Sequence, residues 1–147
     1  MALSKFNLGE VRKKYEMTKR VIPVKLAKMT ENHFVGHFKD ESFEGAKWQT
    51  PKRKIAGTQE YKYPKNKGLG RRTSNILVRS GALRRATSNS IRVATWNEIK
   101  LVNGIPYAIY NNEGTDKIPA RPFMKDSPQL RKKQVSLYES EINKIWR

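Results

Sequence analysis

The feature that most constrains this 147-residue chain is a run of cations with almost nothing to offset them. Between Lys47 and Arg85 stand Lys47, Lys52, Arg53, Lys54, Lys62, Lys65, Lys67, Arg71, Arg72, Arg79, Arg84 and Arg85, opposed by Glu60 alone. Ammonium and guanidinium groups do not enter an apolar interior without partners, so this middle segment is not expected to be buried and forms the electrostatic footprint of the chain. From Lys52 to Arg72 the run also holds Gly57, Pro64, Gly68 and Gly70 and few large apolar side chains. Such a stretch buries too little to offset the entropy of its own ordering, which predicts a loop or two-stranded arm ordered by a partner.

On the N-terminal side, Leu8, Val11, Tyr15, Ile22, Leu26 and Met29 recur near the helical period, which predicts an amphipathic helix. Pro23 lacks a donor and strains the preceding turn, so a kink or two helical pieces is expected there. Phe34, Val35, Phe38 and Phe43 follow. They continue the helix towards a turn at Glu44-Gly45, with a strand sharing Phe34, Gly36 and Phe38 on one face as the alternative. Trp48 anchors the exit of this segment on the core.

On the C-terminal side, Thr73 or Ser74 would cap a short helix carrying Ile76, Leu77 and Leu83. Ser90 to Trp96 and Glu98 to Val102 predict a hairpin about Asn97-Glu98, with Ile91, Val93 and Thr95 inward. Asn103-Gly104 signals a turn, and Pro106 opens a short helix through Tyr107 and Tyr110 that stops at Gly114. Phe123 and Met124 are expected anchors. Beyond Pro128, Val135, Tyr138, Ile142 and Ile145, flanked by Leu130 and Trp146, predict a terminal helix lying across a sheet. The fold class is one α+β domain over 1–147: a small, mainly antiparallel sheet packed against N- and C-terminal helices, with 52–72 as a basic arm.

Lys and Arg number 31 against 13 acidic residues, a formal charge of +18, which implies a polyanion or an acidic protein surface as neighbour. The contact candidates are Lys52, Arg53, Lys54, Lys62, Lys65, Lys67, Arg71, Arg72, Arg84 and Arg85, and Tyr61, Tyr63 and Trp96 could stack on bases. The chain has no cysteine, which excludes disulfides, thiolate nucleophiles and cysteine-ligated zinc. Met1 to Phe6 lack the apolar block of a secretory signal, and no apolar run nears the roughly 20 residues that cross a bilayer, so no membrane partner is expected.

His33 and His37 stand i, i+4 and could share one helix face, but the pattern is not His-Glu-x-x-His and no third ligand is evident. They read as surface or interface histidines. Asp40 with Glu41 or Glu44 pairs carboxylates without a nucleophile or pocket signature. No catalytic residue, cofactor or metal is expected, and the chain reads as a non-enzyme, with a hydrolase as the weakest class. The Arg121 fork could hold a carboxylate, either Glu113 or an acid of a neighbouring subunit, with a solvated arginine beside Phe123 as the alternative.

Four elements in order, Phe43 to Trp48 with Pro51, Ile76-Leu-Val-Arg-Ser-Gly-Ala-Leu-Arg-Arg85, Tyr107-Ala-Ile-Tyr-Asn-Asn-Glu-Gly114 and Ile118-Pro-Ala-Arg-Pro-Phe-Met124, resemble the phage virion morphogenesis or tail-completion family, whose members join heads to tails. The resemblance spans about residues 43 to 124. It implies structural positions at Trp48, Gly81, Leu83, Tyr107, Gly114, Pro122 and Phe123, and no active site. It further implies a tail-terminator or neck-like subunit that forms a ring, hexameric by expectation, at the head–tail junction of the virion, after assembly in the host cytoplasm. Its implied partners are copies of itself, tail-tube or connector proteins, and packaged DNA as a further candidate. The alternative is a basic nucleic-acid-binding module that contacts duplex DNA near the portal–tail channel.

Overall fold

The computed structural model describes residues 7–63 and 74–146. Lys65, Lys67, Arg71, Arg72 and the proposed cap Thr73 therefore lie outside the described residues.

Helix α1 spans Leu8–Asp40. Asn7 caps it, its side-chain oxygen accepting from the N–H groups of Gly9 and Glu10, and Glu41 ends it in a left-handed conformation. Two otherwise unpaired donors of the first turn are thereby satisfied. The helix passes through Pro23, which is buried inside it, so the segments up to and beyond the proline belong to one element. Phe34 and Phe38 are helical and buried, which resolves the helix-or-strand choice in favour of the helix.

Strands β1 (Ser42–Phe43) and β2 (Ala46–Lys47) form a tight antiparallel ribbon turned at Glu44-Gly45. The basic segment then coils into a 3-10 turn at Lys52–Lys54 and helix α2 at Gln59–Lys62, capped by the Thr58 hydroxyl. Its described part is thus helical, not a two-stranded arm. Local hydrogen bonds explain this: the Thr58 hydroxyl donates to the carbonyls of Lys52 and Ile55, at 2.6 and 2.9 Å.

Helix α3 is shorter than expected, Ala82–Thr87 with Gly81 at its N-cap. Ile76 and Leu77 precede it in a turn where Leu77 takes φ 62°. Strands β3 (Ile91–Ala94) and β4 (Ile99–Leu101) pair antiparallel, with an irregularity between Ile91 and Val93. Ile91 and Val93 are half-buried as expected, but Thr95 is exposed because it belongs to the corner, where its N–H donates to the Glu98 carbonyl at 2.8 Å. Asn103 works through its side chain: its amide donates to Leu83 O and Thr87 Oγ1, and its Oδ1 accepts from Ile105 N–H.

Helix α4 is Ala108–Glu113, ended at Gly114, and helix α5 is Pro128–Asn143, with Ser127 capping and proline in its first turn. Helix α5 packs against α1, not across a sheet. The expected stripe is kept in part: Leu130 and Ile145 are buried and Ile142 half-buried, but Val135 and Tyr138 are exposed, Tyr138 lying against Trp96 with ring centroids 6.4 Å apart, and the seam takes in the buried Glu141 instead. Polar pairs in the seam explain this. The Gln134 amide donates to Thr30 Oγ1 at 3.1 Å, and Glu141 Oε1 accepts from Lys25 at 2.8 Å and Lys144 at 2.6 Å.

The fold is a small α+β arrangement, with helices flanking short antiparallel ribbons. Hairpin β3–β4 rests on α1, and the buried Glu31 ties the two together, its Oε1 accepting the Ser90 N–H at 2.9 Å and its Oε2 the Lys28 ammonium. The main core joins Phe38, Trp48, Ile76, Leu83, Ala108 and Phe123. Half of it, Trp48, Ile76 and Leu83, comes from apolar positions set between the cations of the Lys47 to Arg85 run, and none of it from the described part of 52–63. No helix among the described residues is long and apolar enough to cross a membrane.

Candidate anion-binding groove

Three sequence motifs far apart in the chain converge beside this core. In the first, Gly81 adopts φ 72° at the start of α3 and Leu83 drives the helix inward, 3% exposed. In the second, Tyr107 precedes α4 while Ala108 seats the helix on the core. In the third, Arg121-Pro122-Phe123 is clamped from several sides. Asn112 Oδ1 accepts the N–H groups of Phe123 and Met124 at 2.9 and 3.0 Å, Arg121 N–H donates to Asn111 O at 2.8 Å, and Trp48 Nε1–H donates to Pro122 O at 3.0 Å. Phe38 completes the anchor, with ring centroids 5.0 Å from Phe123 and 6.0 Å from Trp48.

These constraints leave an open groove of about 570 Å³ whose lining includes Arg53, Arg79, Ser80, Tyr107, Asn111 and Arg121, floored by Ile76, Leu77 and Leu83. Among the described residues that line it there is no Asp or Glu. Arg121 is 8% exposed and donates through Nε and Nη2 to Gln49 O, at 3.2 and 3.1 Å. The fork therefore engages a backbone carbonyl and not Glu113, which is exposed. Burial first, and then the charge of Arg53, push the Arg121 pKa down from the usual arginine value. Both effects disfavour concentrated positive charge, and both would be relieved by an anion in the groove.

Of the sequence-derived contact candidates, Arg53 and Arg121 reach this groove, and of the structural positions so do Leu83 and Tyr107. Tyr107 is about half exposed, so it is a wall and not a core residue. Trp48, Gly81, Gly114, Pro122 and Phe123 position the walls. Lys54 turns away to Glu41 at 3.4 Å, while Lys52, Lys62, Arg84 and Arg85 are exposed elsewhere. Arg85 lies over Gly81, where a Cβ would come within 2.8 Å of its Nη1. Arg79 and Asn111 were not among the candidates, although the position of Arg79 beside Ser80-Gly81 was an available signal.

The paired-carboxylate idea dissolves in the structure: Glu41 Oε1 accepts from Ile76 N–H and Lys54, and Glu44 Oε1 faces His33 Nε2 at 3.0 Å. The histidines are not surface groups either. His37 is buried, His33 is half-buried, and Glu44 stands beside both as the third group that the sequence spacing did not reveal.

Comparison with protein-family models, curated proteins and solved structures finds no match. The attribution to phage tails, virions and their neck or connector is corrected accordingly: it has no relative to rest on, and function has to be argued from the groove itself.

Proposed function

We propose that this chain is a non-enzymatic structural subunit that assembles with copies of itself into a ring, and that its groove receives an acidic segment of a neighbouring subunit. The observation that carries this is the convergence of Arg53, Arg79 and Arg121 on a groove whose described lining holds no Asp or Glu. Arginine suits the task because its planar fork pairs with carboxylates in fixed geometry. A ring needs two different patches on each subunit, and the groove supplies one of them. The excess charge speeds docking and makes assembly salt-sensitive.

The +18 charge also favours a second reading, contact with duplex DNA. The two are separated by titrating the full chain against a labelled oligoglutamate peptide and a labelled DNA duplex over a range of salt. The acidic-segment reading expects saturable peptide binding that is lost in Arg79→Glu but kept in Lys13→Glu, a control on exposed α1. Duplex binding that engages three phosphates would fall with a log–log salt slope of roughly −2.7. Equal losses in both variants, or no binding of either probe at low salt, would reject the groove as a site.

A further inference from the structure

The geometry points to a divalent-metal site of the zinc type, formed by His33, His37 and Glu44 at the junction of α1 with the β1–β2 turn. The i, i+4 spacing puts both imidazoles on one face of α1, with ring centroids 4.8 Å apart. Glu44 comes from the ribbon turn, and one ligand atom from each of the three residues lies within 4.8 Å of the others. Zinc–nitrogen and zinc–oxygen bonds of about 2.0–2.2 Å in a tetrahedron place ligand atoms roughly 3.4 Å apart, so closure needs side-chain movement of about 1.4 Å at most.

Two atoms distinguish this cluster from an ordinary ion pair. His37 Nε2 and Glu44 Oε2 are buried side-chain atoms with no hydrogen-bond partner, and the His33–Glu44 contact satisfies neither. Orphaned buried polar atoms are rare in folded proteins and call for an explanation such as an ion. His37 is 6% exposed. Its unpartnered Nε2 has no competing hydrogen bond and can offer a lone pair, the role in which neutral imidazole binds metal.

The three groups border a cavity of about 270 Å³, with Asn32, Asp40 and Gln129 on its rim. There is room there for water as a fourth ligand. Lys133 Nζ stands 3.3 Å from His33 Nδ1. For His33 to bind metal through Nε2, its Nδ1 must carry the proton, so Lys133 has to withdraw; it is exposed and free to swing into solvent. Its ammonium therefore weakens the site. A bound ion would cross-link the end of α1 to the ribbon that delivers Trp48 to the core.

The test is calorimetric titration of the chelator-stripped full chain with Zn²⁺, paired with Co²⁺ substitution to read coordination geometry from visible absorption. The expected result is one equivalent bound and a tetrahedral Co²⁺ spectrum. Affinity should fall at least about ten-fold in Glu44→Gln and in His33→Ala, and rise in Lys133→Ala. Far-UV circular dichroism confirms that each variant is folded, and the half-buried His33 and the turn residue Glu44 are used in place of the more buried His37 for that reason. Absence of saturable uptake, uptake unchanged in both ligand variants, or an octahedral Co²⁺ spectrum would overturn the assignment.

Discussion

Replacing Gly114 with alanine tests whether the Arg121 segment is held by backbone geometry. Gly114 has φ 81° and ψ 175°, a region essentially closed to residues with a Cβ and costing about 1–3 kcal/mol. An added Cβ would also meet Ala120 N at 2.7 Å, Ala120 Cα at 3.0 Å and Ile118 O at 3.0 Å. These are backbone atoms of the loop that leads into Arg121, so relief requires moving the chain, and overpacking of this kind costs about 1–3 kcal/mol more. The sum, about 2–6 kcal/mol, is a large share of the stability of a small domain. Gly45 provides the control: φ is 87°, yet nothing lies within 4 Å of its would-be Cβ. Gly45→Ala should therefore carry the conformational cost alone, about 1–2 kcal/mol. Urea unfolding of the two variants beside the parent reads the difference, and with a slope near 2 kcal/mol per molar the Gly114→Ala midpoint should drop by about 1–3 M. If the two variants lose the same stability, the contact between the 114 turn and Ala120 is not what holds the Arg121 segment.

The buried face of α5 predicts that Leu130→Ala costs about 2–5 kcal/mol while Val135→Ala stays within about 0.5 kcal/mol, by the same urea assay; the reverse order would restore the stripe expected from apolar spacing. Acid sensitivity should be dominated by the paired carboxylates. Burial opposes ionisation of Glu31, yet the Lys28 ammonium and the Ser90 N–H outweigh it, while Lys144 and then Lys25 lower Glu141. Both folded pKa values lie below the ordinary 4.5, so their stabilisation is complete above about pH 4.5 and is lost as pH falls through the lower folded values. The urea midpoint should fall between pH 7 and pH 3, and fall less in Glu31→Gln; parallel declines in parent and variant would count against the Glu31 clasp.

Much of the secondary structure was legible because local signals agreed with the final packing. The helical period from Leu8, Gly114 after a short apolar run and the Asn97-Glu98 corner each act within a few residues. Their hydrogen bonds close before any distant segment matters. The helical-period continuation through Phe34 and Phe38 was legible for the same reason, since both fall on the face of α1 that meets the core. Trp48 and Phe123 were legible as anchors because large aromatic side chains flanked by prolines have few other places to go.

What this sequence determined by itself was an α+β chain whose most cationic described stretch, 52–63, stays out of the core while the large apolar residues set among the other cations, Trp48, Ile76 and Leu83, enter it. Charge and hydropathy act whatever the neighbours are, so they can be read from order alone. Tertiary structure decided which polar groups became partners. Gln134 and Glu141 turned α5 onto α1, Gln49 O captured the Arg121 fork, Arg53 and Arg79 came together across the groove, and Glu44 came to stand beside His33 and His37. Each is a contact between segments brought together only when the core closes, and the distances that define it exist nowhere in the one-dimensional chain.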